Sequence, residues 1–271
     1  MKPKALILLA HGTNRDLDVA EALSLCGAEP EIVALNSLRA SQRRWLDYQM
    51  LVLPGGFSYA DALGAGKLLA IDMQSYFTEE IQKFVMAGKP VIGICNGFQA
   101  LVKAGLLPGN GGTSREQKGE SKTKHGKESA TLTFNVRGHF ECRWVTVRPV
   151  SQKCLWTKGL TELVECPIAH GEGNFQVSDQ TFLSTLAFHD QVALVYVQPD
   201  GTSANGVYPT NPNGSRLDIA GICSPQGNVL GLMPHPENHI FAWQHPQWRR
   251  GVQRNSGLSI FKNGVKFAEE A

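Results

Sequence analysis

The first hundred residues alternate between short, continuous apolar runs and longer segments with helical spacing, and few architectures accommodate that alternation. Apolar runs occupy residues 5–10, 31–35, 50–53 and 91–94. Helical spacing fills residues 16–27, 71–87 and 97–104, closed by Gly27, by Gly88 with Pro90, and by Gly105. Strands that are apolar throughout, not on alternate residues, are buried on both faces. Strands joined by helices run parallel. The pattern therefore predicts an α/β chain with a parallel sheet covered on both faces. Ligands bind such sheets beyond the carboxyl ends of the strands. Pro54-Gly55-Gly56 and Cys95 each follow a strand and are expected on that edge.

The character changes after Pro108. Residues 110–128 are polar, rich in Gly, Ser and Lys, and lack large apolar side chains, which predicts a flexible insertion. Beyond it, β-type runs cover residues 130–135, 142–147, 191–197, 219–222 and 229–233. The tail from residue 240 opens rich in Trp, His and Gln and ends in a short amphipathic helix. One domain over residues 1–271, built on a mixed sheet, is expected. At 42% hydrophobic residues in 271, the chain can bury a substantial core. A formal net charge of +2 without a basic stripe argues against nucleic acid. No apolar run is long enough to span a bilayer. The apolar run at residues 5–10 is followed by His-Gly-Thr-Asn-Arg-Asp and no small-residue cleavage site, so a first strand fits it better than a signal peptide. Six scattered cysteines without a CxxC pair disfavour zinc and disulfides and suit a reducing cytoplasm.

Cys95 stands at a corner, between the apolar run 91–94 and the helical run 97–104, with Gly93 and Gly97 beside it. A thiol at a helix N-terminus is biased toward thiolate, and small neighbours admit substrate. Most free cysteines are simply buried, and this run alone leaves both readings open. Downstream, the strand at 229–233 delivers His235 and then Glu237. In extended backbone, residues two apart point to one side, and Pro236 favours extension at His235. A carboxylate beside an imidazole is what a nucleophile's general base requires, although an incidental pair in a surface loop reads equally simply. Zinc at His235 and His239 is disfavoured because Pro236 sits where an HExxH helix would run. The Pro-Gly-Gly turn at 54–56 can present backbone N–H groups to a developing oxyanion, with the Asn96 N–H as the second donor. Gly64-Ala-Gly66-Lys67 is followed by Leu and is no P-loop. His170-Gly171-Glu172-Gly173 permits close backbone approach, and Glu172 can pair with an amino group; a plain glycine turn fits as well. His11, His125, His139, His189 and His245 and the other five cysteines read as structural or incidental.

Taken jointly, Pro54-Gly55-Gly56, Gly93-Ile-Cys95-Asn96-Gly97-Phe-Gln99 and His235-Pro-Glu237 resemble, in order and context, the class I glutamine amidotransferases. The runs beginning at Leu53, Phe140, Pro167 and Asn211 resemble the glutaminase subunits of that family that serve purine biosynthesis. The resemblance extends from about residue 4 to about residue 240. It implies a flavodoxin-like, doubly wound, mixed but mainly parallel sheet with helices on both faces. It also implies Cys95 as nucleophile, His235 as general base and acid, Glu237 as orienting carboxylate, and Gly56 with Asn96 as oxyanion hole. Gly55, Gln99, His170 and Gly171 would hold L-glutamine. No metal or cofactor is implied for this chain. ATP and magnesium are expected on a separate synthetase subunit that receives the ammonia, with a small third subunit beside it. Ala60 departs from the family, which commonly has Gly there. A related hydrolase of the same fold, or an idle scaffold subunit, are the alternatives.

Overall fold

Four of the apolar runs become parallel neighbours, and a fifth joins them from the far end of the chain. The computed structural model describes residues 1–109, 130–251 and 256–270; the expected insertion at 110–128 lies outside them. The strands are β1 (Lys4–Leu9), β2 (Glu29–Ala34), β3 (Met50–Leu53), β4 (Val91–Ile94), β5 (Ala130–Thr133) and β6 (Glu141–Pro149). They continue with β7 (Val164–His170), β8 (Asn174–Val177), β9 (Val192–Val197), β10 (Ile219–Cys223) and β11 (Val229–Leu232). Nine of them form one sheet in the order β2-β1-β3-β4-β11-β10-β9-β6-β7. The first five are parallel, and the remaining pairings are antiparallel. β5 and β8 make a separate antiparallel pair.

The helices are α1 (Asp16–Leu25), α2 (Leu35–Arg39), α3 (Lys67–Tyr76), α4 (Thr78–Met86), α5 (Asn96–Lys103), α6 (Gln180–Phe188) and α7 (Leu258–Glu270). α1 packs with α7, and α3 packs with α5 against the β3, β4 and β11 region. The crossover from β1 to β2 and that from β3 to β4 step along the sheet in opposite directions. Right-handed connections then place their helices on opposite faces, with a switch point beside β1 and β3.

The single helix expected at 71–87 is two helices. Phe77 leaves helical geometry at φ −133°, ψ 15° and buries its ring 5.5 Å from that of Trp45. Glu79 and Glu80 then sit in the first turn of α4, where carboxylates favour a new helix start. α6 lay unread in the sequence. Its signal is Asp179, whose side chain caps the Phe182 N–H at 2.8 Å.

β3, β4 and β11 are wholly buried. Gly93 and Gly231 are register partners on β4 and β11. A Cβ on Gly231 would lie 2.0 Å from Phe98, and one on Gly97 2.0 Å from the Leu53 carbonyl. Bare backbone at these points lets α5 press against the sheet, and this sets where the corner before α5 can stand.

Candidate active site

The corner is Cys95. It follows β4 directly and precedes α5, at φ 49°, ψ −103°. A non-glycine residue there is strained by about 1–3 kcal/mol and persists only where its surroundings overdetermine it. They do so here: its N–H donates to Leu232 O on β11 at 2.8 Å, and its C=O accepts from Gln99 N at 3.0 Å. The thiol is 4% exposed, and its Sγ lies 3.7 Å from Ala169 O on β7. The strained corner and the thiol's approach to a β7 carbonyl set Cys95 apart from an ordinary packed core cysteine.

β11 points the next strand end at the same place. His235 N donates to Pro167 O at 2.8 Å, and its Nδ1 meets Glu237 Oε1 at 2.6 Å. Both side chains are buried. The pairing is the expected one, but the backbone is not extended: residues Pro236–Asn238 form one 3-10 turn, and the carboxylate reaches back over Pro236. Burial alone would push the His235 imidazole down. The Glu237 carboxylate, and then the Cys95 sulfur, outweigh it and carry it up to about 10. His235 is therefore an imidazolium at neutral pH.

The turn after β3 supplies the roof. A Cβ on Gly55 would meet His235 Cε1 at 2.6 Å, so the turn rests on the imidazole. Gly56 has φ 132°, and the hydrogen bonds around it run from Asn14 to Gly55 and from Phe57 to Gly12, bypassing the Gly56 amide. Asn96 opens α5, where first-turn N–H groups have no intrahelical partner. Its side chain is anchored, accepting from Ser58 Oγ at 2.5 Å and donating to Asp61 at 2.7 Å.

Cys95 and Gly56 open on a cavity of about 150 Å³ that Gln99, His170, Gly171 and Glu172 also line, with Phe57, Asp61, Phe134 and Phe140 at its sides. Gln99 Nε2 donates to Glu172 O at 2.6 Å. Asn135 braces the opposite turn: its Oδ1 takes His170 Nδ1 at 3.1 Å and Gly173 N at 3.0 Å. Burial first, and His235 second, push His170 down to about 3. It is neutral, with the proton on Nδ1 and its buried Nε2 without a hydrogen-bond partner among the described residues. The Glu172 carboxylate, read as able to pair with an amino group, accepts from Ala65 N at 3.2 Å and pairs with the Lys103 ammonium at 3.6 Å. It is committed to holding the loop before α3.

Cys95, His235, Glu237, Gly55, Gly56, Asn96, Gln99, His170 and Gly171 thus converge. No place at the site was read for Asp61, Phe134, Asn135 or Phe140, since each meets it through a contact far away in the chain. Among the described residues no cluster of three His, Cys, Asp or Glu side chains could hold a metal ion, and no helix is long and apolar enough to cross a membrane.

The chain matches the CobB/CobQ-like glutamine amidotransferase domain over residues 2–268. It is 53% identical to the phosphoribosylformylglycinamidine synthase subunit PurQ of Treponema denticola, covering 98% of this chain and 99% of that one. The subunit of the same name from Dehalococcoides mccartyi is 41% identical, with 99% of each covered. Among solved structures, PurLQS from Thermotoga maritima aligns with a TM-score of 0.71 at 30% identity, over 98% of this chain and 99% of that chain. A second Thermotoga maritima glutamine amidotransferase aligns at 0.54 with 14% identity over 100% of each, a likeness of fold alone. By motif, fold and full-length similarity, this chain belongs to the CobB/CobQ-like family of class I glutamine amidotransferases.

Proposed function

We propose that this chain is the glutaminase subunit of phosphoribosylformylglycinamidine synthase, releasing ammonia from L-glutamine for a synthetase subunit in purine biosynthesis. The observation that carries this reading is the meeting of Cys95, His235 and Glu237 at the ends of neighbouring strands, in a chain that matches subunits of that name over its full length. Glutamine enters the cavity with its α-amino and α-carboxylate groups on the Gln99, His170 and Gly171 side. The Cys95 thiolate attacks the side-chain amide carbon, and the oxyanion falls between the Gly56 and Asn96 amides. The His235 imidazolium gives its proton to the departing ammonia, leaving a γ-glutamyl thioester. Neutral His235 then takes a proton from water as the water attacks, glutamate leaves, and thiolate and imidazolium are restored. Glu237 holds the ring and offsets its charge throughout.

The synthetase covers the open side. Phe134 is 70% exposed and Phe140 48%, both at the cavity's edge, and apolar side chains left in water around a site mark a docking surface. ATP and magnesium act on the synthetase, a small third subunit completes the complex, and the assembly works in the cytoplasm. Glutaminase turnover rises when the synthetase docks.

The test is Cys95→Ala in the reconstituted complex. Glutamine-dependent amidine synthesis is expected to fall by at least about 10⁴-fold, as for loss of other covalent nucleophiles, while synthesis from added ammonia continues. Unchanged glutamine dependence would make the chain a scaffold. Loss of the ammonia-dependent rate as well would mean the alanine variant disrupts assembly, and Cys95→Ser would then decide.

A further inference from the structure

One strand edge rules the whole catalytic line. β7 ends the nine-stranded sheet, and the carbonyls of Glu165, Pro167 and Ala169 face its free side. Three groups use them in series: His239 Nδ1 on Glu165 O at 2.5 Å, His235 N on Pro167 O at 2.8 Å, and Cys95 Sγ on Ala169 O at 3.7 Å. Alternate residues of a strand are about 6.6 Å apart, so thiol, base and the third group are spaced on one scale. A proline fits at 167 because an edge strand loses no ladder bond where its N–H side faces outward.

The mechanism uses two of these groups and leaves His239 without a task. It is 1% exposed. Its acceptor is a carbonyl, so Nδ1 carries the proton, and burial, its first cause, lowers its affinity for a second one. Its ring stands edge-on to Trp144 at 5.0 Å. His245 meets the same indole edge-on at 4.8 Å and, accepting from Gln247 N through Nδ1, donates from Nε2 to Glu165 Oε2 at 3.1 Å. The turn between His235 and His239 is also clamped by Asn238 on Asp18 at 3.1 Å and by Gly257 N on His239 O at 2.7 Å.

We propose that His239 is a positioning residue: by donating to Glu165 O it pins the His235–Glu237 turn to the edge of β7 and sets the reach of His235 toward Cys95. The proposal rests on the reading of Cys95, His235 and Glu237 as the catalytic set. The titratable groups around His235 are Glu237, Cys95 and His170. Those around His239 are Glu165 and His245, and Cys166 feels both carboxylates.

The experiment compares His239→Leu, which removes the donor, with His239→Asn, whose amide nitrogen can replace Nδ1, in the full chain. NMR titration of the His235 ring needs no turnover and so fails or succeeds apart from the proposed activity. In His239→Leu the His235 midpoint is expected to fall by about one pH unit or more as Glu237 loses alignment, and glutamine kcat to fall by about tenfold to a hundredfold with KM little changed. His239→Asn is expected to restore both. A His235 midpoint unmoved in His239→Leu, or equal impairment in the two variants, overturns the proposal. Should the leucine variant not fold, His239→Phe, which keeps a ring against Trp144 and removes the donor to Glu165 O, is expected to lower the midpoint in the same direction, and an unmoved midpoint there overturns the proposal too.

Discussion

The two walls of the cavity are built by different means. The inner wall, with Cys95, His235, Glu237 and the Gly55-Gly56 turn, hangs from main-chain hydrogen bonds at the ends of β3, β4 and β11, strands with every residue buried. The outer wall, residues 57–66, 134–140 and 170–173, is tied together by side chains: Glu172 to Ala65 and Lys103, Gln99 to Glu172, and Asn135 to His170 and Gly173. Its loop at 134–140 is mostly exposed, and Leu63 in the first loop is 82% exposed. Covalent chemistry needs reacting groups fixed within a fraction of an ångström, which a sheet provides. A wall latched by a few polar contacts can adjust to a substrate or a docking subunit at modest cost. Damage to the inner wall should therefore stop the chemistry, and damage to the outer wall should loosen the substrate.

The largest expected effect on this contrast comes from Glu237→Gln. The substitution keeps the shape and removes the charge that holds His235 up near 10. Glutaminase kcat is expected to fall by about 10²–10⁴-fold, the range for losing the orienting carboxylate of a triad. A pH signature accompanies it. The folded chain holds a proton on His235 that the unfolded chain releases above about 6.5, so the stabilisation is complete below that pH and is lost as pH climbs toward 10. The stability difference between parent and variant, measured by denaturant titration, should shrink across that window. A difference constant with pH would mean that Glu237 does not hold the charge on His235.

The same division governs what was legible in the sequence. Cys95 with its flanking glycines, Pro54-Gly55-Gly56 and His235-Pro-Glu237 are each local: a buried strand, a turn and the functional residue lie within ten positions, and strand direction brings them to one edge. The outer wall has no such signature. Asn135 meets His170 across 35 positions, Gln99 meets Glu172 across 73, and Ala65 meets Glu172 across 107. These contacts follow from the antiparallel half of the sheet and from the β5–β8 pair, whose strands are short and whose order no periodicity reveals. Glu172 shows the consequence. Its glycine setting identified a ligand-side turn, but only the fold shows that its carboxylate already serves Lys103. The turn at Pro236–Asn238 failed for a different reason: Pro236 disfavours helix at the residue before it, yet is well suited to open a 3-10 turn after it.

An intermediate effect is expected from Glu172→Ala, which cuts the outer latch. Ala65 N–H loses its acceptor, and Lys103, already depressed by burial, loses its counter-charge. With the inner wall untouched, KM for glutamine should rise by about tenfold, equivalent to about 1.4 kcal/mol, while kcat stays within about threefold. Steady-state kinetics with the complete complex reads the two apart. A fall in kcat without a change in KM would place Glu172 in the chemistry and erase the distinction between the walls.

The smallest effect is at Ala60, the departure from the family's usual glycine. Tyr59, Ala60 and Asp61 stand in succession at φ 54°, 55° and 53°. Side chains at such angles cost about 1–2 kcal/mol each. Tyr59 repays part of that by donating from its hydroxyl to Asp72, and Asp61 by accepting from Asn96. Ala60 has no such compensation: its methyl group is exposed. Ala60→Gly removes the strain and restores some freedom to the unfolded chain, about 0.5–1 kcal/mol against it. The balance is a gain of about 0.5–1 kcal/mol, or a rise in Tm of about 1–3 °C for a chain of this size. Because Ala60 touches neither Cys95 nor His235, the glutamine kcat should be unchanged within error. A stabilised variant with lower kcat would instead show that strain in the outer loop is transmitted to the turn at Gly56, and that the two walls act as one.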